Sequence, residues 1–174
     1  MQALRFAKAL AAVCLVNGIL YLCVSQEAFA QGKLAEAKRY TAELKTAKDA
    51  KTKVNALTEL GKLGQIMNSL TEDAMPDILK ALEDKDATVR SAAAQCLGKC
   101  GPDPEKAVPA LVKILTEDKD TDAKIGAAKG LAAMGSAAKA AADDLRKIVK
   151  DADKKSALGK QANIALKSIN GKVK

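Results

Sequence analysis

The chain has no histidine and no tryptophan, and only two tyrosines and two phenylalanines. Without histidine there is no Ser-His or Cys-His nucleophile pair, no ordinary zinc ligand set, and none of the side chain most used for acid–base work. No lysine or carboxylate pair stands out as a replacement. The sequence therefore reads as a non-enzyme with no catalytic, cofactor-binding or metal-binding residue. Arginine is scarce as well, since 25 of the 29 basic residues are lysine. Arginine is the better bidentate phosphate ligand, and aromatic rings are the usual platforms for bases. A dedicated nucleic-acid reader is thus disfavoured despite a net charge of +8.

What the chain does contain is alanine, leucine, lysine and glutamate, all strong helix formers. A sheet protein would be richer in β-branched and aromatic residues. At 174 residues the chain is long enough for one domain with a sizeable core. A core of alanine and leucine implies helices packed at close range. The charge is uneven: residues 31–62 and 139–174 are basic, and 63–138 is slightly acidic.

The first thirty residues read as an address. Arg5 and Lys8 precede an apolar stretch from Ala9 to Val24, and Ala28-Phe29-Ala30 is a small-x-small site before Gln31. This is the pattern of a secretory signal peptide, cleaved after Ala30 and leaving a periplasmic or secreted protein. The stretch, interrupted by Asn17 and Gly18, is short against the roughly 20 residues of a membrane span. An uncleaved N-terminal anchor is the alternative. Tyr21-Leu22 before Cys23 does not fit a lipoprotein site. An exported chain lacks routine access to ATP, NAD or chromosomal DNA. Cys14 and Cys23 leave with the signal. Cys96 and Cys100 alone do not make a disulfide scaffold.

The remainder, 31–174, repeats itself. EDKDATVRSAAAQCLGKCG at Glu83–Gly101 aligns without a gap on EDKDTDAKIGAAKGLAAMG at Glu117–Gly135, an offset of 34 residues. Leu60, Leu97, Leu131 and Leu166 recur just before Gly64, Gly101, Gly135 and Asn170, residue types that end helices in the left-handed conformation. A second segment type interleaves: AMPDILKAL with Pro76, AVPALVKIL with Pro109, and a weaker copy in which Ala142 stands in place of proline. Apolar residues at Val89, Ala92, Ala93, Cys96, Leu97 and Cys100 trace one helical face. Asp86 and Asp120 are N-cap candidates. The pattern predicts eight helices, about 33–47, 49–64, 70–83, 87–100, 105–117, 121–134, 137–150 and 155–169. They form four antiparallel pairs, with repeats about 33–64, 70–101, 104–135 and 137–170. The fold class is all-α, an α-α superhelix in which each pair buries its apolar face on its neighbours.

Pro76 and Pro109 in the first helices, together with Asp86, Val89-Arg90, Ala92-Ala93, Leu97-Gly98 and Gly101, resemble the HEAT-repeat pattern of the bacterial short-repeat type. The resemblance covers about 67–170 well and 33–64 by periodicity. Lys124 stands where the family's arginine is expected. The resemblance implies an armadillo-like solenoid that binds a protein partner, with no nucleic acid and no membrane span in the mature chain, as a monomer. Two other readings come with it. A bilin-lyase-like subunit is opposed by export and by the lack of aromatics to pack a tetrapyrrole. A weak nucleic-acid or polyanion binder would use the basic helices.

Helical phase points Thr88, Ser91, Gln95, Lys129 and Lys160 to the concave surface as candidate partner contacts. Asp86, Arg90, Asp120 and Lys124, with Lys53 at the corresponding place in repeat one, are expected to form a structural ladder of cations and turn acids. A basic stripe on the concave face is the alternative. The acidic turns lack the glycine and distal glutamate of a calcium loop, which favours capping. Cys96 and Cys100 are expected to be buried thiols. Their Cβ atoms, about 5–6 Å apart on one helical face, are too far for an unstrained bridge.

Overall fold

The computed structural model describes residues 20–101, 103–152 and 156–171, with side chains from Ala28 onward. Among the described residues there are eight α-helices and no strand. They are α1 (Leu20–Thr46), α2 (Ala50–Ile66), α3 (Met75–Ala81), α4 (Ala87–Lys99), α5 (Pro104–Glu117), α6 (Thr121–Met134), α7 (Ala142–Asp151) and α8 (Ala157–Ile169).

The chain divides at Glu36 into two units. Most of the first, which carries the signal-peptide reading, lies outside the described residues. Its described part is the start of α1, where Lys33 pairs with Glu36 at 2.9 Å and stands 5.9 Å from the centre of the Phe29 ring. Among the described residues no helix is long and apolar enough to cross a membrane.

The second unit, residues 37–174, is a two-layer stack. The inner helices α2, α4, α6 and α8 pack successively side by side, and α3, α5 and α7 each cover the inner helix that follows. Ala37 and Leu44 at the end of α1 join the same core. Leu60, Leu97 and Leu131 are fully buried in it. Leu166, on α8, is only partly buried.

Local chemistry sets the boundaries. Asp49, Asp86, Asp103 and Ser156 cap α2, α4, α5 and α8 through side-chain oxygens that accept backbone N–H groups. The helix expected over 70–83 starts as two short 3-10 turns, Asn68–Leu70 and Glu72–Ala74, and becomes α-helical only at Met75. Pro76 sits in its first turn, because proline lacks the N–H needed deeper in a helix. Likewise 137–150 opens as a 3-10 turn, Gly135–Ala141, before α7.

Two helix terminators behave differently from expectation. Gly64 lies inside α2, which runs on to Ile66. A side chain there would stand 2.8 Å from the Cys100 Cα, so Gly64 serves contact with α4 instead. Asn170 keeps a negative φ, and the left-handed residue is Gly171, φ 66°.

Alanine and glycine bring the inner helices close. A Cβ on Gly98 would lie 2.2 Å from the Gly130 carbonyl oxygen, and one on Gly130 would lie 2.3 Å from that of Ala94. Backbone therefore meets backbone across the α4–α6 contact.

Candidate functional site

Two features organise the surface of the repeat unit: a polar seam through the turns and a groove across the inner helices.

The seam is built on Asp84-Lys85-Asp86 and Asp118-Lys119-Asp120. In each turn the first aspartate accepts the backbone N–H of the second, at 3.0 Å and 2.9 Å. This leaves a carboxylate oxygen facing the preceding repeat. Asp84 takes the Lys53 ammonium at 2.6 Å. Asp118 takes Arg90 in a bidentate pair, Nε at 2.6 Å and Nη2 at 2.8 Å. Arg90 also donates to Asp120 at 2.8 Å and to the carbonyls of Asp84 and Lys85 at 2.8 and 3.1 Å. Those five bonds use all the donors a guanidinium has. Arg90 is buried, so its charge is not offered to a partner as part of a basic stripe.

The electrostatics follow from the geometry. The Asp118 hydrogen bonds hold the Arg90 guanidinium above its ordinary value, and Arg90 in turn holds the Asp118 carboxyl below the usual carboxylate range. At Asp84 burial pushes the pKa up, but the Asp86 N–H and Lys53 outweigh it and the net direction is down.

The ladder differs in register from the expected one. Asp86 is not a rung. Its carboxylate accepts from the Thr88 backbone N–H at 2.8 Å and hydroxyl at 2.6 Å, capping α4. Asp120 occupies the N-cap position of α6 but makes no side-chain cap there, because its carboxylate faces Arg90. Lys124 reaches a carbonyl, that of Thr116 at 3.4 Å, rather than an acid. Lys53 and Arg90 thus each grip the turn of the following repeat. Asp118, the principal acid, is one of the turn acids that the sequence assigns to capping and not to the ladder. The signal for it was present: Asp84 and Asp118 are the paired first acids of a duplicated Asp-Lys-Asp.

The groove, about 310 Å³, crosses α2, α4 and α6. Thr88, Ser91, Gln95 and Lys129 line it together. The Gln95 amide donates to the Ser91 carbonyl at 3.3 Å. Lys160 is exposed on α8, outside the lining. The groove also takes Val54, Thr58, Lys99, Asp122 and Ile125, which helical phase did not assign to it, and Ala92, which the sequence pattern places on the apolar face of α4. Helical phase could have found several of them. Lys99 lies one turn past Gln95, and Asp122 and Ile125 share the face of Lys129.

Cys96 and Cys100 are free, buried thiols whose sulfurs lie 3.7 Å apart. A disulfide needs about 2.05 Å. The hydrogen bond to Cys100 and burial push the Cys96 thiol up.

This stack of helix pairs, with Pro76 and Pro104 in the first turns of α3 and α5, Pro109 inside α5, and an Asp-Lys-Asp turn before α4 and α6, is an α-solenoid. Residues 38–132, more than half of the chain, match the HEAT repeats, and the chain belongs to that family. Its fold is shared with the crystal structure of an engineered protein at a TM-score of 0.58 and 24% identity, covering 95% of this chain and 72% of that one. No curated protein matches it.

Proposed function

We propose that this chain is a non-catalytic interaction module, exported from the cytoplasm, that binds a protein partner as a monomer on the groove across α2, α4 and α6. The observation that carries the reading is the groove itself. Three successive inner helices contribute to one cavity in which aliphatic, hydroxyl, amide and ammonium groups mix. Stacked repeats commonly use such an extended face for recognition. The packed core behind it positions these side chains.

A photo-cross-linking side chain at Gln95 tests the surface, with Lys113, exposed on the outer helix α5, as the opposite-face control. Partner capture from Gln95 and not from Lys113 supports the reading. Capture from Lys113 alone overturns it. The export reading, with its domain division of signal 1–30 and repeats 31–174, rests on the residues around Ala28-Phe29-Ala30. Mass measurement of the product recovered outside the cytoplasm tests it. A chain beginning at Gln31 supports cleavage, and an intact chain held at the membrane favours an uncleaved anchor.

A further inference from the structure

On the inner helices α2 and α4, Lys53, Lys62 and Arg90 each hold a carboxylate, at 2.6 Å in every case. Lys99 and Lys129, on successive inner helices, hold none among the described residues, and both line the groove. The Lys99 stem lies over Gly61 of α2, where a Cβ would stand 3.3 Å from its Cδ. The one carboxylate of the lining is Asp122. It lies two turns from Lys129 along α6, about 10 Å by the helical rise, so the groove has a basic edge and an acidic edge. Between them the floor is aliphatic: Val54, Ala92 and Ile125.

We propose that the groove holds an acidic segment of a partner protein, its carboxylates on Lys99 and Lys129 and an aliphatic side chain on the Val54–Ala92–Ile125 floor. The inference rests on the reading of this face as the contact surface and adds the chemistry of what binds. A nucleic acid fits less well. The lining has no arginine to fork a phosphate and no aromatic ring to stack a base. An aliphatic floor beside two ammonium groups that hold no carboxylate among the described residues instead matches a leucine, isoleucine or valine flanked by aspartate or glutamate. Asp122 repels such a segment at the opposite edge and fixes which way its charges lie.

The test is selection from a displayed random peptide library on the full chain, followed by affinity measurement of the enriched peptides by fluorescence anisotropy. The expected winners carry clustered Asp or Glu beside Leu, Ile or Val. Their affinity falls about tenfold on Lys99→Glu/Lys129→Glu, the size expected for two partly exposed ion pairs, and rises as salt is lowered. Lys99→Gln/Lys129→Gln gives a smaller loss in the same direction and guards against a folding defect from charge reversal. Winners that are neutral or basic, no winners at all, or affinities unchanged in both variants overturn the proposal. So does a single-stranded oligonucleotide that displaces the peptides and depends on the same lysines, which would assign the groove to nucleic acid. A native partner captured from Gln95 through a segment without acidic residues overturns the acidic chemistry alone. Capture only from Lys113 overturns the contact surface with it.

Discussion

Arg90 and Asp118 lie 28 residues apart in sequence and form a bidentate ion pair, Nε to Oδ2 at 2.6 Å and Nη2 to Oδ1 at 2.8 Å. Arg90 stands on α4 and Asp118 in the turn before α6, so the pair ties one repeat to the next. Its side chains are only 9% and 5% exposed. Surface ion pairs contribute little, but removing one member of a buried pair leaves the other uncompensated.

Asp118→Ala is expected to destabilise the fold by about 3 kcal/mol, because the Arg90 charge stays buried with its best acceptor gone. Asp84→Ala removes one ammonium contact and the acceptor of the Asp86 N–H at a more open site, and is expected to lose about 1.5 kcal/mol. Arg90→Lys should fall between them, since an ammonium cannot reproduce the fork. Urea unfolding of the three variants checks the order. Equal losses at Asp84 and Asp118 would mean that the bidentate pair is no stronger than the lysine rung.

The same pair sets an acid dependence. The Asp118 carboxyl is depressed in the folded state, first by the Arg90 hydrogen bonds, while in the unfolded chain it titrates near its ordinary value of about 3.9. Near that pH the unfolded state binds more protons, so stability rises with pH there. The contribution is complete above the unfolded value and is lost as pH falls through the lower, folded one. Asp84 is shifted the same way. Unfolding free energy measured between neutral pH and strong acid should drop steeply below about pH 4, and Asp118→Asn should flatten that limb. Parallel curves for the two proteins would exclude the pair as a source of the slope.

The repeats were legible because glycine, proline, aspartate and leucine recur at fixed offsets, and period is a property of sequence. The partner of Arg90 was not. Asp86 and Asp118 are both acids in duplicated turns, and only the packed stack shows that Asp86 is occupied by Thr88 while Asp118 lies beside the guanidinium. Gly64 looked like a helix stop because left-handed termination and close helix contact call for the same residue. Only the approach of Cys100 separates the two roles. On the groove, phase placed Gln95 and Lys129 together, but phase within one helix does not say which helices share a cavity. Lys160 is outside for that reason.

The thiols of Cys96 and Cys100 are expected to be inert in the native protein. Both are buried out of reach of a reagent, and burial is what protects the pair, since their mutual hydrogen bond pushes the Cys96 thiol up but the Cys100 thiol down. In a chain with Cys14 and Cys23 replaced by serine, a colorimetric thiol reagent should find both groups only after denaturant is added. Rapid reaction without denaturant would show that the α2–α4 contact opens readily.

Gly98→Ala tests how closely the inner helices meet. On propensity alone alanine would stabilise α4 by about 1 kcal/mol. The added methyl, however, would stand 2.2 Å from the Gly130 carbonyl oxygen and 2.5 Å from its Cα. Backbone cannot rotate away as a side chain can, so α4 and α6 must separate, loosening Leu97 and Leu131, which are fully buried in the shared core. The net expectation is a loss of about 2 kcal/mol, within the range for overpacking a tight core. Gly130→Ala meets the Ala94 oxygen at 2.3 Å and should behave alike. Once the helices have spread for one methyl the second finds room already made, so the double variant should lose less than the sum of the two. A Gly98→Ala protein that melts higher than the parent would show that propensity outweighs the contact and that the helices stand further apart than this geometry has them.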